Sequence, residues 1–273
     1  MASSLRIATL NIWGCHGDWP RRREVLRKGF AGLGADLVAL QETVVTDEYD
    51  QVVDVFGGDL HVVHQGRRSA DGTGCSIVSR VPPRDVREID LCVTERVDPA
   101  DFLGRSTAVE VDTAVGRVVF VNHKPSWQLP LERERELQAV GTARFVEDLV
   151  GEREVHVAVA GDFDARPETA SVRFWTGRQS LEGVSVHYQD AWECHHDAEP
   201  GHTFTTANPL VTAESDWSRI PPRRIDYLLV RCDERGPTLR VRRCEQLFDE
   251  PVDGVWASDH IGLTADLEAS GAS

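Results

Sequence analysis

Positive charge is scarce in this chain. Its 273 residues carry 30 lysines and arginines against 45 aspartates and glutamates, a formal charge of −15. Duplex DNA binding rests on many Lys and Arg contacts to phosphate and on the release of counterions, and no basic stripe stands out to supply them. Long hydrophobic runs are missing too: none approaches the roughly 18 residues of a membrane helix. Met1-Ala2-Ser3-Ser4 leads directly into an apolar strand-like run, which leaves no room for a signal peptide, so a cytoplasmic protein is expected. Cysteine is sparse and scattered. Cys15, Cys75, Cys92, Cys194, Cys232 and Cys244 contain no CxxC pair and read as small core residues in a reducing compartment, not as bridges. There is no GxxxxGK[ST] loop for a P-loop nucleotidase and no GxSxG elbow for a serine hydrolase. No repeat, low-complexity block or Pro/Gly/Ser-rich linker divides the chain. One domain over residues 1–273 is expected, with a frayed tail from about 268 to 273.

What the chain does have is many short apolar, β-rich runs, at 5–10, 37–40, 61–63, 75–78, 107–111, 118–121, 155–159, 225–230, 239–243 and 261–267. Helical spacing marks 21–33 and, most clearly, 131–150, where Leu137, Val140, Ala143, Val146, Leu149 and Val150 recur on one face. Hairpin-like neighbours (61–78 and 107–121) mix with helix crossovers. That mixture excludes a plain doubly wound parallel sheet and points to an α+β fold with room for two sheets.

Polar residues gather at the ends of these runs, where rigid scaffolds display function. Asn11 follows the first run, Glu42 the second and His123 the run at 118–121; Asp162 and Asp164 follow 155–159. Asp226 opens the run at 225–230, and Asp259-His260 opens the last. Any one of these reads equally as a turn former, but together they offer types suited to one reaction. Asn, Glu and Asp are hard oxygen ligands, fit for Mg²⁺, Mn²⁺ or Ca²⁺ and not for zinc. The one zinc-like cluster, Cys194-His195-His196 between Glu193 and Asp197, has neighbours too close in sequence to face one tetrahedral centre and reads as a polar loop.

Six segments in order, Thr9-Leu10-Asn11-Ile12-Trp13, Leu40-Gln41-Glu42, Val121-Asn122-His123, Gly161-Asp162-Phe163-Asp164, Arg224-Ile225-Asp226-Tyr227 and Ser258-Asp259-His260, span residues 9–260. In these the chain resembles the endonuclease/exonuclease/phosphatase superfamily of deoxyribonuclease-I-like hydrolases. Asp190-Ala191-Trp192 and Gly201-His202-Thr203-Phe204 add softer matches. The resemblance implies a four-layer α/β/β/α sandwich with two mixed β-sheets and a site at one rim. It implies Glu42 as the principal Mg²⁺ (or Mn²⁺) ligand, with Asn11 and Asp259 beside it. Asp162 would orient or deprotonate the attacking water, and His260, held by a carboxylate, would stabilise or protonate the transition state. His123 would hydrogen-bond phosphoryl oxygens, and Asp226 would orient a histidine. Phosphoryl hydrolysis needs its growing charge neutralised and its nucleophile held in line, which such a set supplies.

Two departures from the family pattern stand out. Its tetrapeptide ends in Asn where this chain has Asp164, and an ionised carboxylate can accept but not donate. Asp164 therefore binds metal, carries a proton or points elsewhere. The Asn two positions before His123 is also missing, because Val121 stands there. Lys124 and Arg105 read either as phosphate contacts or as solvated charges, and the run 132–136 reads as the charged outer face of a helix. Trp13, Trp127 and Trp217 suit either a pocket for an organic leaving group or ordinary packing. The expected function is hydrolysis of a small phosphate mono- or diester. The alternatives are a metal-dependent nuclease acting on nucleic acid and a non-catalytic interaction module on the same scaffold. The module is disfavoured because Glu42, Asp162, Asp259 and His260 are all present.

Overall fold

A computed structural model describes residues 3–99, 104–197, 199–214 and 216–269. The first sheet contains β1 (Ser4–Asn11), β2 (Leu37–Val44), β3 (His61–His64), β4 (Thr73–Ser79), β12 (Leu239–Leu247) and β13 (Gly262–Ala269), in the order β12-β13-β1-β2-β4-β3. The second contains β5 (Asp85–Asp90), β6 (Arg105–Thr113), β7 (Gly116–His123), β8 (His156–Asp162), β10 (Asp226–Asp233) and β11 (Gly236–Pro237), in the order β11-β10-β8-β7-β6-β5, while β9 (Tyr188–Asp190) pairs with β10. Both sheets are mixed. β1 runs parallel to β2 and β7 to β8, and the remaining pairs are antiparallel.

Strand alternation sorts the apolar side chains into three layers. Leu5, Ile7, Leu37, Ala39, Phe120, Ala158, Ala160, Leu228 and Leu263 meet between the sheets. On the outer face of the first sheet, Ala8, Leu10, Val38 and Leu40 pack under α1 (Trp19–Leu33) and α2 (Gln51–Phe56). On the outer face of the second, Val119, Val121, Val157 and Val159 pack under α3 (Glu132–Val150) and α4 (Ala170–Trp175). The result is the four-layer α/β/β/α sandwich. Near one end of the inter-sheet layer the contact turns polar: Gln41 Nε2 donates to Asn122 Oδ1 at 2.8 Å, and Asn122 Nδ2 donates to the carbonyls of Leu40 and Ser76. This amide pair ties the sheets together directly beneath the functional rim.

Two expectations need correcting here. Glu268 and Ala269, expected in a frayed tail, pair as the end of β13, while residues 270–273 lie outside the described residues. The charged run opening α3 is not all outer face. Glu134 is buried and takes Arg96, and Arg135 is buried and donates to the carbonyls of Ser126 and Gln128. The loop at Cys194-His195-His196 is polar, as expected: the two imidazoles bond to the carbonyls of Val241 and Cys244. No helix among the described residues is long and apolar enough to cross a membrane.

Candidate active site

The alternation that builds the core also aims the site. Asn11 lies on the face of β1 that carries Leu5 and Ile7, Asp162 on the face of β8 that carries Ala158 and Ala160, and Asp226 on the face of β10 that carries Leu228. All three therefore project into the inter-sheet layer at the same end, and Asp226 stands directly opposite Asp162 in the β8–β10 register. Glu42 is on the wrong parity for this. A register shift between Leu40 and Thr43, with Glu42 in the left-handed region at φ +57°, turns its carboxylate back to the rim. Re-aiming a side chain beside a functional site is a recurrent use of a β-bulge.

Asn11 ties the cluster together. Its Nδ2 donates to Glu42 Oε1 at 2.8 Å and to Asp162 Oδ2 at 3.0 Å, and lies 3.5 Å from His260 Nε2. Its Oδ1 accepts from the Trp13 N–H at 3.0 Å. Asn11 thus faces the carboxylates with its nitrogen, whereas the expected role as a metal ligand needs its oxygen. In this arrangement it is a cross-link that positions Glu42.

His260 stands between two carboxylates, with Nδ1 3.0 Å from Asp226 Oδ2 and Nε2 3.8 Å from Asp162 Oδ2. Burial works against its charge, but Asp226 and Asp162 outweigh it and raise the imidazole to about 10. It is therefore an imidazolium at neutral pH. Asp226 is itself pushed up by burial, against the pull of His260, and its Oδ1 is buried with no hydrogen-bond partner among the described residues. Asp162 is fully buried, yet Lys124 and then His260 hold it well below the usual carboxylate range. Asp162, Asp226 and His260 present ligand atoms within 4.8 Å of one another, a spacing that would also suit an ion. Because both imidazole nitrogens already face carboxylates, a shared proton fits that group better than a metal.

Asp259 and Asp164 complete the rim. Burial, with Glu42's charge adding and His260 opposing, pushes Asp259 up to about 7. Burial and the Asp162 charge push Asp164 up to about 6. Ser258 anchors Asp259's segment, its hydroxyl 2.7 Å from the Asn11 carbonyl.

His123 is the residue that the structure does not bring to the cluster. Alternation along β7 puts it with Val119 and Val121 on the α3 face. There Nδ1 meets the hydroxyls of Ser106 at 2.7 Å and Thr142 at 3.2 Å, and the ring stands edge-on to Phe163 and Trp175. Burial, then Lys124, pushes it down to about 3, so it is neutral. The expected contact from His123 to a phosphoryl oxygen is corrected on this geometry, and it is the next residue that stands at the cluster. Lys124, only 8% exposed, sets Nζ 2.6 Å from Asp162 Oδ2, 2.5 Å from Asp164 Oδ2 and 3.8 Å from Glu42 Oε1. Parity along β7 was the signal that could have selected Lys124 over His123. Arg105 instead pairs with Glu88 and Asp90, away from the cluster.

Of the supporting residues, Asn208 and Arg22 carried no sequence signal, and Thr203 only that of the softer match Gly201-His202-Thr203-Phe204. Thr203 Oγ1 accepts the backbone N–H groups of Ile225 and Asp226. Asn208 Nδ2 donates to the Ser258 and Asp259 carbonyls. Arg22 of α1 is buried and donates to the carbonyls of Ile12, His16 and Ala257, which fixes the loop after β1. Beside His260 runs an aromatic rim. The Phe204 ring is 4.9 Å from the imidazole, Trp217 6.0 Å from Phe204 and Trp127 6.2 Å from Trp217, and Arg223 lies over Phe204 and Trp217. Trp13 packs elsewhere, against Arg22 and His16.

The family model described as Endonuclease/Exonuclease/phosphatase family matches residues 8–260. The chain belongs to the endonuclease/exonuclease/phosphatase family. No curated protein sequence matches it, but solved structures of the same fold do. D. rerio TDP2 complexed with single strand DNA product superposes with a TM-score of 0.75 at 19% identity, covering 98% of this chain and 100% of that one. Truncated Caenorhabditis elegans TDP2 gives 0.75 at 16%, covering 97% and 98%. The human Nocturnin catalytic domain with bound sulfate gives 0.70 at 16%, covering 99% and 96%.

Members of this family hydrolyse phosphate esters and generally depend on a divalent metal. The residues of this member fit such an ion. Glu42, Asp162, Asp164, Asp226 and Asp259 converge with Lys124 and His260 as their close cations and Arg22 acting on Asp259, and two of the five are pushed up to about 6 and 7. That is an excess of hard oxygen donors short of positive charge.

Proposed function

We propose that the protein, as one domain, is a Mg²⁺- or Mn²⁺-dependent phosphoesterase that hydrolyses a small phosphate mono- or diester. The observation that supports it most is the Asp226–His260–Asp162 chain joined through Asn11 to Glu42. Glu42 and Asp259 would hold the ion, with Asn11 fixing the Glu42 carboxylate. A divalent ion there supplies positive charge to the phosphoryl group and lowers the pKa of bound water. Asp162, kept ionised by Lys124 and His260, accepts a hydrogen bond from the attacking water and sets its direction. His260 holds its proton at Nε2 for the departing oxygen, with Asp226 fixing the ring through Nδ1. The aromatic rim of Phe204, Trp217 and Trp127, the last 41% exposed, suits a flat organic alcohol as the leaving group.

Compact substrate size is supported by charge. The chain is at −15, and Lys124, Arg22 and Arg224 are buried and internally paired, which leaves Arg223, stacked over Phe204 and Trp217, as the basic group at the aromatic rim. The nuclease reading rests on the similarity to D. rerio TDP2, whose structure holds a single strand DNA product. Cys75 and Cys244 are core residues as expected, whereas Cys92 and Cys194 are exposed and not in the core; as free thiols they support a reducing compartment such as the cytoplasm. The deciding comparison is kcat/KM on a panel of small phosphomonoesters and diesters against cleavage of plasmid and single-stranded DNA, in one metal and salt. Turnover confined to small esters is expected. Efficient DNA cleavage with every small ester ignored would replace this reading with the nuclease.

A further inference from the structure

The least ordinary feature of the rim is a lysine where a second cation would fit. Lys124 Nζ lies 2.6 Å from Asp162 Oδ2, 2.5 Å from Asp164 Oδ2 and 3.8 Å from Glu42 Oε1, and the side chain is nearly buried. Three oxygens from three carboxylates around one point form a donor set typical of a hard divalent ion. An ammonium carries three N–H donors and one charge, so it satisfies the same oxygens without a metal.

The surrounding backbone is arranged to keep it there. Asp164 adopts φ +50°, in the left-handed region, and its N–H donates to Asp162 Oδ1 at 3.1 Å. This tight turn brings both carboxylates onto Lys124. It also accounts for the departure from the family pattern at this position. An Asn at 164 could offer only a neutral oxygen, whereas Asp164 supplies the charge that a buried ammonium needs. Lys124 and Asp164 thus read as one compensated pair.

The geometry points to a one-ion site, in which the Lys124 ammonium occupies the Asp162–Asp164 carboxylate pair that would otherwise take a second divalent ion. This inference rests on the metal-dependent reading above and deepens it. The single ion then belongs to the Glu42–Asp259 side, and Lys124 provides a fixed charge beside the transferring phosphoryl group that needs no reorganisation during the reaction.

The test is a count of bound Mn²⁺, read from the loss of the free aqua-ion signal in electron paramagnetic resonance, with the full chain and Mn²⁺ alone. The parent protein should bind one Mn²⁺. Lys124→Met should bind two, Lys124→Arg one, and the double variant Lys124→Met with Asp164→Asn one again, because the second site has lost a charged ligand. Lys124→Gln, which keeps N–H donors for both carboxylates, stands in for Lys124→Met should that variant not fold, and should likewise bind two. Two ions on the parent protein, or one on both neutral Lys124 variants, overturn the inference while leaving metal dependence intact. No ion on the parent protein overturns the metal-dependent reading and this inference with it.

Discussion

His260 draws its charge from its neighbours, and that gives the clearest test of its role. Asp226 and Asp162 hold it protonated to about 10 against burial. A group that acts as an acid works below its pKa and fails above it, so activity should fall on the alkaline side. Asp226→Asn removes the closer raising charge. The alkaline limb of the kcat profile should then move to lower pH by roughly one to three units, the usual effect of one adjacent carboxylate. An unmoved limb would take His260 out of the proton transfer. His123 should behave in the opposite manner, as a packing residue. Buried, its imidazole is held down to about 3, against about 6.5 in an unfolded chain. Between those values the unfolded state binds a proton that the folded state refuses, so stability falls as pH falls through that window. His123→Gln, which keeps a polar group for Ser106 and Thr142, should flatten that fall in urea denaturation between pH 6.5 and 4 and leave kcat close to that of the parent. A large loss of kcat at unchanged stability would return His123 to the chemistry. Residue types at strand ends named both histidines; the parity along β7 that turns His123 away from the site and Lys124 toward it becomes decisive only once β7 is seen to pack α3 on one face and the other sheet on its other.

The strands and helices were largely legible. All ten apolar runs fall within strands, three of them starting one residue early, and the helical spacing at 21–33 and 131–150 corresponds to α1 and α3. What was not legible is short or polar. β5 reads Asp-Val-Arg-Glu-Ile-Asp because it is an edge strand with little to bury, β9 has three residues, and α2 and α4 have six each. The bulge that turns Glu42 inward had no sequence signature either, since it depends on the pairing of β2 with β4. A second positional device sits in β8. Gly161 has φ +151°, and a Cβ there would lie 2.0 Å from the His123 carbonyl oxygen. Gly161→Ala must therefore push β8 from β7 just beneath Asp162 and Lys124. It should lower stability by roughly 3 kcal/mol, in the range of severe backbone and packing clashes, as read from a urea midpoint. An unchanged midpoint would show that this close approach is not required.

Across the whole molecule, two sheets packed face to face leave one polar rim, and the amides of Gln41 and Asn122 hold the sheets in register beneath it. Five carboxylates at that rim tolerate their proximity because Asn11, Lys124 and His260 are interleaved with them. The family and the four-layer architecture were readable from six ordered segments. The aromatic rim beside His260 was not, since it draws Phe204, Trp217 and Trp127 from separate loops with no common spacing. The most direct measurement is hydrolysis of bis(4-nitrophenyl) phosphate by the parent protein and Glu42→Gln, before EDTA, in excess EDTA, and after Mg²⁺ or Mn²⁺ is restored. Hydrolysis by the parent should vanish with chelator and return with metal. Glu42→Gln should need far more metal for any activity while keeping its thermal unfolding midpoint. Undiminished hydrolysis in excess chelator would contradict a metal-dependent site centred on Glu42.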